Sequence, residues 1–215
     1  MDSYQRFLSY FNISQDEFLE WGIDAIIYPP IDKVYKEWEN LKKRIFGNEV
    51  VYIRGYGKNV HGTKLYQDLY SYIFRNNFVK KDANNNTIPT QRIRNMTGLK
   101  KNRDIYNYQI SHIWGRTKNI FMFEAPWNIC YVPKIMDPFT GHESMGEMTK
   151  KYKKLFIDKA YTRYKYFIED YNTMLAKYNV EEKVNTYIAY LKDSDISEKE
   201  LSQFIKDVEL EISPI

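Results

Sequence analysis

Between Tyr106 and Pro133 the spacing of apolar residues switches from a helical period to alternation, which requires a small sheet inside an otherwise helical chain. Tyr106, Tyr108 and Ile110 alternate with Asn107, Gln109 and Ser111, the period-two pattern of a half-buried strand, and His112 stands at its end. A connection containing Gly115, Arg116, Thr117, Lys118 and Asn119 follows. After Pro126 the run Asn128-Ile-Cys-Tyr-Val-Pro133 reads as a second short strand, so an antiparallel pair joined by an irregular loop is expected. Asp137-Pro138 and Thr140-Gly141 are start signals for a helix, and Met145, Met148, Tyr152, Leu155, Phe156 and Lys159 continue at helical spacing.

On either side the pattern is helical. Residues 3–11 and 14–21 read as short helices, the second with a Ser14/Glu17 capping box, and Pro29-Pro30 forces a break. Val34, Tyr35, Trp38, Leu41 and Ile45 mark a third helix that Gly47-Asn48 ends, before a strand at Val50–Ile53. Leu65, Leu69, Tyr72 and Ile73 mark another helix, Lys80–Thr87 a polar connection, and Gln91–Leu99 one helix and turn of a helix-turn-helix pattern. From His142 to Tyr178 one long helix or two in succession are expected, then helices near Glu182–Leu191 and after Ser197. The fold class is therefore α+β, mostly helical with a small antiparallel hairpin.

Two of the chain's three histidines, His112 and His142, flank Asn128 in the order His, Asn, His, in register with strand, loop, strand and helix. This segment resembles the ββα-metal or HNH endonucleases, and the resemblance covers roughly the stretch from Asn107 to Glu143. It implies that His112 is the general base, Asn128 the residue that orients it and His142 a metal ligand, around one Mg²⁺ or Mn²⁺ ion per site. Imidazole suits the base because its ordinary pKa lies nearest neutrality, and its second nitrogen needs a carbonyl, from Asn128 or the backbone, to fix the tautomer. Where many members carry Asp or His before the base this chain has Ser111, so the expected remaining ligands are Asp137 or Glu143, the nearest carboxylates, with Ser111 and Gln109 as weaker oxygen donors. The single cysteine, Cys130, excludes a Cys₄ zinc site within one chain and an internal disulfide.

The net charge of +4 is unevenly distributed. From Arg75 to Lys118 ten Lys or Arg residues face two Asp, a local balance of +8, whereas residues 181–215 carry four basic against nine acidic residues, a balance of −5. A basic stretch beside a phosphate-cleaving site is what DNA binding requires, because phosphate contacts supply most non-specific affinity. The expected DNA contacts are Arg116 and Lys118 in the loop, Arg92 and Arg94 on the helix-turn-helix-like segment, and Lys100, Lys101 and Arg54. The glycine-rich stretch from Arg54 to Thr63 lacks the Gly-Lys-Ser/Thr ending of a P-loop. Glu181-Glu182-Lys183 lacks the flanking strand that a PD-(D/E)xK nuclease needs.

A single nuclease domain is expected over 1–215, with a helical, DNA-recognising portion (1–105), a ββα-metal core (106–165) and a helical C-terminal portion (166–215). No signal peptide or membrane-spanning run is legible, and the expected location is the cytoplasm. The resemblance implies a restriction-type enzyme that dimerises to match a palindromic site, with a cognate DNA methyltransferase encoded nearby. The alternative is a DNA-binding protein without catalysis, using the same basic centre.

Overall fold

The computed structural model describes residues 2–55, 60–141 and 144–215, the side chains of residues 60 and 61 excepted. Helices dominate, and two small sheets are embedded among them. Along the chain run α1 (Ser3–Tyr10), α2 (Gln15–Asp24), α3 (Ile31–Phe46), β1 (Val51–Ile53), α4 (Val60–Phe74), β2 (Val79–Lys81) and α5 (Thr87–Thr97). The second half comprises β3 (Tyr108–His112), β4 (Ile129–Pro133), a 3₁₀ helix (Lys134–Thr140), α6 (Glu147–Lys177), α7 (Val180–Lys192) and α8 (Glu198–Glu211).

Local chemistry explains most of these limits. The Ser14 hydroxyl accepts from the Glu17 N–H (3.2 Å) and the Glu17 carboxylate accepts from the Ser14 N–H (3.0 Å), the reciprocal cap that starts α2. Gly98, left-handed at φ 74°, ends α5 where the sequence places a turn. The first strand begins at Tyr108 rather than Tyr106, because Asn107 adopts φ 60° and breaks the extended run. The helix expected from Asp137-Pro138 is a 3₁₀ segment holding Pro138, and α6 starts only at Glu147, after Gly146 at φ 116°. α6 is two helical stretches joined across a kink at Tyr164, where φ −116° and ψ 15° leave the helical region.

β3 and β4 pair antiparallel, with Tyr108 opposite Pro133 and His112 opposite Ile129. Ile27 adds a bridge to the far edge of β4, exchanging two 3.0 Å hydrogen bonds with Tyr131. β1 and β2 pair parallel across α4, Val51 opposite Val79. The strand β2 runs into the start of what reads as a polar connection, Lys80 and Lys81 being exposed and only Val79 of its three residues buried. Trp38, Phe121, Trp127 and Tyr171 meet edge-on or tilted at 5.5–6.3 Å in the main core, which draws on every helix except α5. A second, smaller core of Ile93, Ile129 and Tyr131 lies between α5 and one face of the hairpin. Among the described residues no helix is long and apolar enough to cross a membrane.

Candidate active site

His112, the last residue of β3, is half-buried, and its Nε2 lies 3.0 Å from the Phe123 carbonyl oxygen. A carbonyl can only accept, so Nε2 carries the proton and Nδ1 is left with its lone pair. The ring also stacks on that of Phe123, 5.6 Å between centroids and 16° between planes. Burial lowers the imidazole pKa to about 4, against the opposing pull of the Phe123 carbonyl, and the nearby Arg54 guanidinium lowers it further. The ring is therefore neutral at ordinary pH, as a base must be before it takes a proton.

A folded-state pKa of about 4 against an ordinary value of 6.5 gives a signed prediction. His112 contributes stability that is fully present above pH 6.5 and is lost as pH falls through about 4. The urea midpoint of the wild-type protein is expected to drop across that window more than that of His112→Gln. Equal slopes for the two proteins would contradict the assignment.

The ring is not held by Asn128. Asn128 is fully buried, one residue before β4, and its side chain turns into the connecting loop. Its Oδ1 accepts from the Trp114 N–H (2.9 Å), and its Nδ2 donates to the carbonyls of Gly115 (3.1 Å) and Met122 (2.9 Å). Asn128 thus ties the two ends of the loop together, and the Phe123 backbone takes the orienting place expected for it. Asn128→Ala would leave three buried polar groups without partners and is expected to cost about 2–4 kcal/mol, readable as a lower urea midpoint.

The expected metal ligands do not share His112's face. Side chains alternate along a strand, so His112 and Ile110 project with Ile129 and Tyr131 toward α5, while Ser111 projects with its partner Cys130 into the main core. Asp137, on the 3₁₀ helix, acts on Tyr152 of α6, which in turn lies near Cys130, so it belongs to that opposite side. His142 and Glu143 lie outside the described residues. Among the described residues no group of three or more His, Cys, Asp or Glu side chains could hold a metal ion. Ser111 and Asp137 therefore do not fit as ligands of an ion beside His112.

The expected DNA contacts fall into two sets. Arg92 points inward, its guanidinium 2.7 Å from the fully buried Glu124 carboxylate, which also binds Arg44 at 2.8 Å and the Tyr52 N–H at 2.7 Å. Arg116 donates to the Ser213 and Pro214 carbonyls, and Lys118 pairs with Asp207 at 2.8 Å. These three cations are engaged within the chain. Arg54, Arg94 and Lys100 are exposed and Lys101 is half-buried. Arg94 acts on Tyr131, whose hydroxyl donates to the Leu99 carbonyl (3.0 Å), which brings Arg94 and the start of the 99–105 loop to the His112 face. Exposed Lys134 and Tyr106 stand at the other end of the hairpin, where the Lys134 N–H donates to the Asn107 carbonyl; no sequence pattern singles out Lys134 as a cation of this face.

The fold and the site define an α+β protein whose hairpin presents one neutral histidine on a face bordered by exposed cations. The chain belongs to the family described as uncharacterised protein PM1201, whose family model matches residues 29–215. A relative from Pasteurella multocida (strain Pm70), also described as uncharacterized protein PM1201, is 41% identical over 218 residues, spanning 100% of this chain and 97% of its own. No solved structure matches the chain.

Proposed function

We propose that the protein is an endonuclease of the ββα-metal kind that hydrolyses DNA phosphodiester bonds, with His112 as general base. The observation that carries this reading is the His112 ring, neutral, fixed by the Phe123 carbonyl through Nε2 and left with an acceptor at Nδ1. Arg54 beside it and Arg94 on the same face supply positive charge for phosphates without altering the ring's protonation state at neutral pH. Nδ1 would take the proton of the attacking water as its oxygen bonds to phosphorus and the bond to the leaving sugar oxygen breaks. Mg²⁺ belongs to the expectation carried by the family resemblance, and Ser111 and Asp137 lie across the hairpin from His112.

That separation favours a second reading, a DNA-binding protein without catalysis on the same cationic face. Incubating the purified protein with supercoiled plasmid, with Mg²⁺, with Mn²⁺ and with EDTA, decides between them. Nicked or linear product supports the nuclease, and its loss in EDTA makes the reaction metal-dependent. Binding with intact plasmid under every condition rejects the nuclease and leaves the binding protein.

A further inference from the structure

Arg116 and Lys118 stand four and six residues beyond His112, yet α8 and the segment after it hold both. Arg116 donates to the carbonyls of Ser213 and Pro214, the latter at 3.1 Å. The Lys118 ammonium pairs with Asp207 (2.8 Å), and the Lys118 N–H donates to the Glu211 carboxylate (2.9 Å). Asn119 Nδ2 donates to the Glu211 carbonyl oxygen (2.7 Å) and to the Tyr171 hydroxyl (2.9 Å). Two carboxylates and three carbonyls thus offer this loop oxygen acceptors of the kind that nucleic-acid phosphates would offer.

Phe204 and Val208 are the buried residues of α8 among the described ones, Leu201, Ile205, Ile212 and Ile215 pack partly buried beside them, and the Ile215 backbone exchanges two 3.0 Å hydrogen bonds with the Asn172 side chain. A terminal segment with two fully buried side chains opens at a lower free energy than the molecule as a whole. We propose that the Arg116–Asn119 loop is a second nucleic-acid contact surface, and that α8 covers it as an internal competitor that a polyanion displaces. The inference rests on the nucleic-acid reading above.

The buried carboxyl of the cover makes its hold depend on pH. Burial pushes Glu211 up to about 7 from 4.5, the N–H and charge of Lys118 oppose this, and Asp207 adds to it. Tyr70 of α4 and Tyr171 of α6 also face Glu211, and Arg116 faces Tyr171. Because the folded value is raised, Glu211's contribution is fully present below about pH 4.5 and is lost as pH rises through about 7. Docking of α8 therefore weakens as pH rises from about 4.5 to about 7, a range in which the lysine and arginine of the loop keep their charge.

The test is the salt dependence of binding to a short DNA duplex, read for the wild type, for Phe204→Ala, and for Phe204→Ala combined with Arg116→Ala and Lys118→Ala. Undocking α8 frees two cations, so the slope of log affinity against log salt is expected to steepen by about 1.8 in Phe204→Ala and to return to the wild-type value in the combined variant. An unchanged slope in a Phe204→Ala protein whose α8 amides exchange freely with deuterium overturns the inference and leaves the nucleic-acid reading standing. If no protein binds DNA with any salt dependence, that reading falls and the inference with it. Should Phe204→Ala fail to fold, Asp207→Ala frees Lys118 alone and is expected to steepen the slope by about 0.9; no step there overturns the inference.

Discussion

Replacing His112 by Ala is expected to lower the rate of DNA cleavage by about 10²–10⁴-fold, the usual contribution of a positioned general base. Binding should change little. The exposed cations of the same face, Arg54, Arg94 and Lys100, are untouched by the substitution. The pH profile gives a finer reading. With the imidazole held near pH 4, the acidic limb of the wild-type rate should fall near that value and not near 6.5. An Arg54→Ala variant removes one of the causes that lower the pKa, and its limb should move upward. Initial rates of plasmid nicking, taken with dissociation constants for the same DNA, separate these effects. A His112→Ala protein that cuts at the wild-type rate would remove His112 from the chemistry altogether.

Glu124→Ala is expected to destabilise the fold by about 3–5 kcal/mol. The Glu124 side chain has no exposed surface, and its two oxygens receive Arg44 from α3, Arg92 from α5 and the Tyr52 N–H from β1. Removing the carboxylate leaves two guanidinium groups beside each other, Arg44 almost wholly shielded from water. Glu124→Gln keeps the shape but loses the charge, so it should be intermediate. Arg92→Met, which removes one cation and keeps the carboxylate paired with Arg44, should cost less than Glu124→Ala. Chemical denaturation of the three variants orders them, and equal midpoints for Glu124→Ala and wild type would mean that the cluster does not hold α3, α5 and β1 together.

The helices were legible because their signals are local. The Ser14/Glu17 cap, the Val34, Trp38, Leu41 and Ile45 stripe and the Gly98 stop each lie within a few residues of what they control. The hairpin was legible for the same reason, since alternation over five residues needs no distant partner. Side-chain engagement was not. Nothing near Arg92 in the sequence announces that Glu124, 32 residues on, will hold it, and Lys118 meets Asp207 across 89 residues. The uneven charge was visible, and its physical meaning is in part internal: Asp207 of the acidic C-terminal region pairs with Lys118 of the basic centre. That Ser111 faces away from His112 was legible, since neighbouring residues of a strand take opposite faces, whereas no local pattern announced that Asp137 would lie beside Tyr152 of α6.

The bridge between Ile27 and Tyr131 bears on how fast the chain reaches this state. Its two hydrogen bonds join segments 104 residues apart, and the Trp38 indole donates to Asp170 across 132. Helices of this length form in about a microsecond or less, but loop closures of that span must come before such contacts return any stabilisation. The molecule should therefore refold more slowly than its helix content alone would indicate, with helical circular dichroism recovering ahead of the burial of Trp38. During synthesis, too, Ile27 would wait without its strand partner until β4 has left the ribosome.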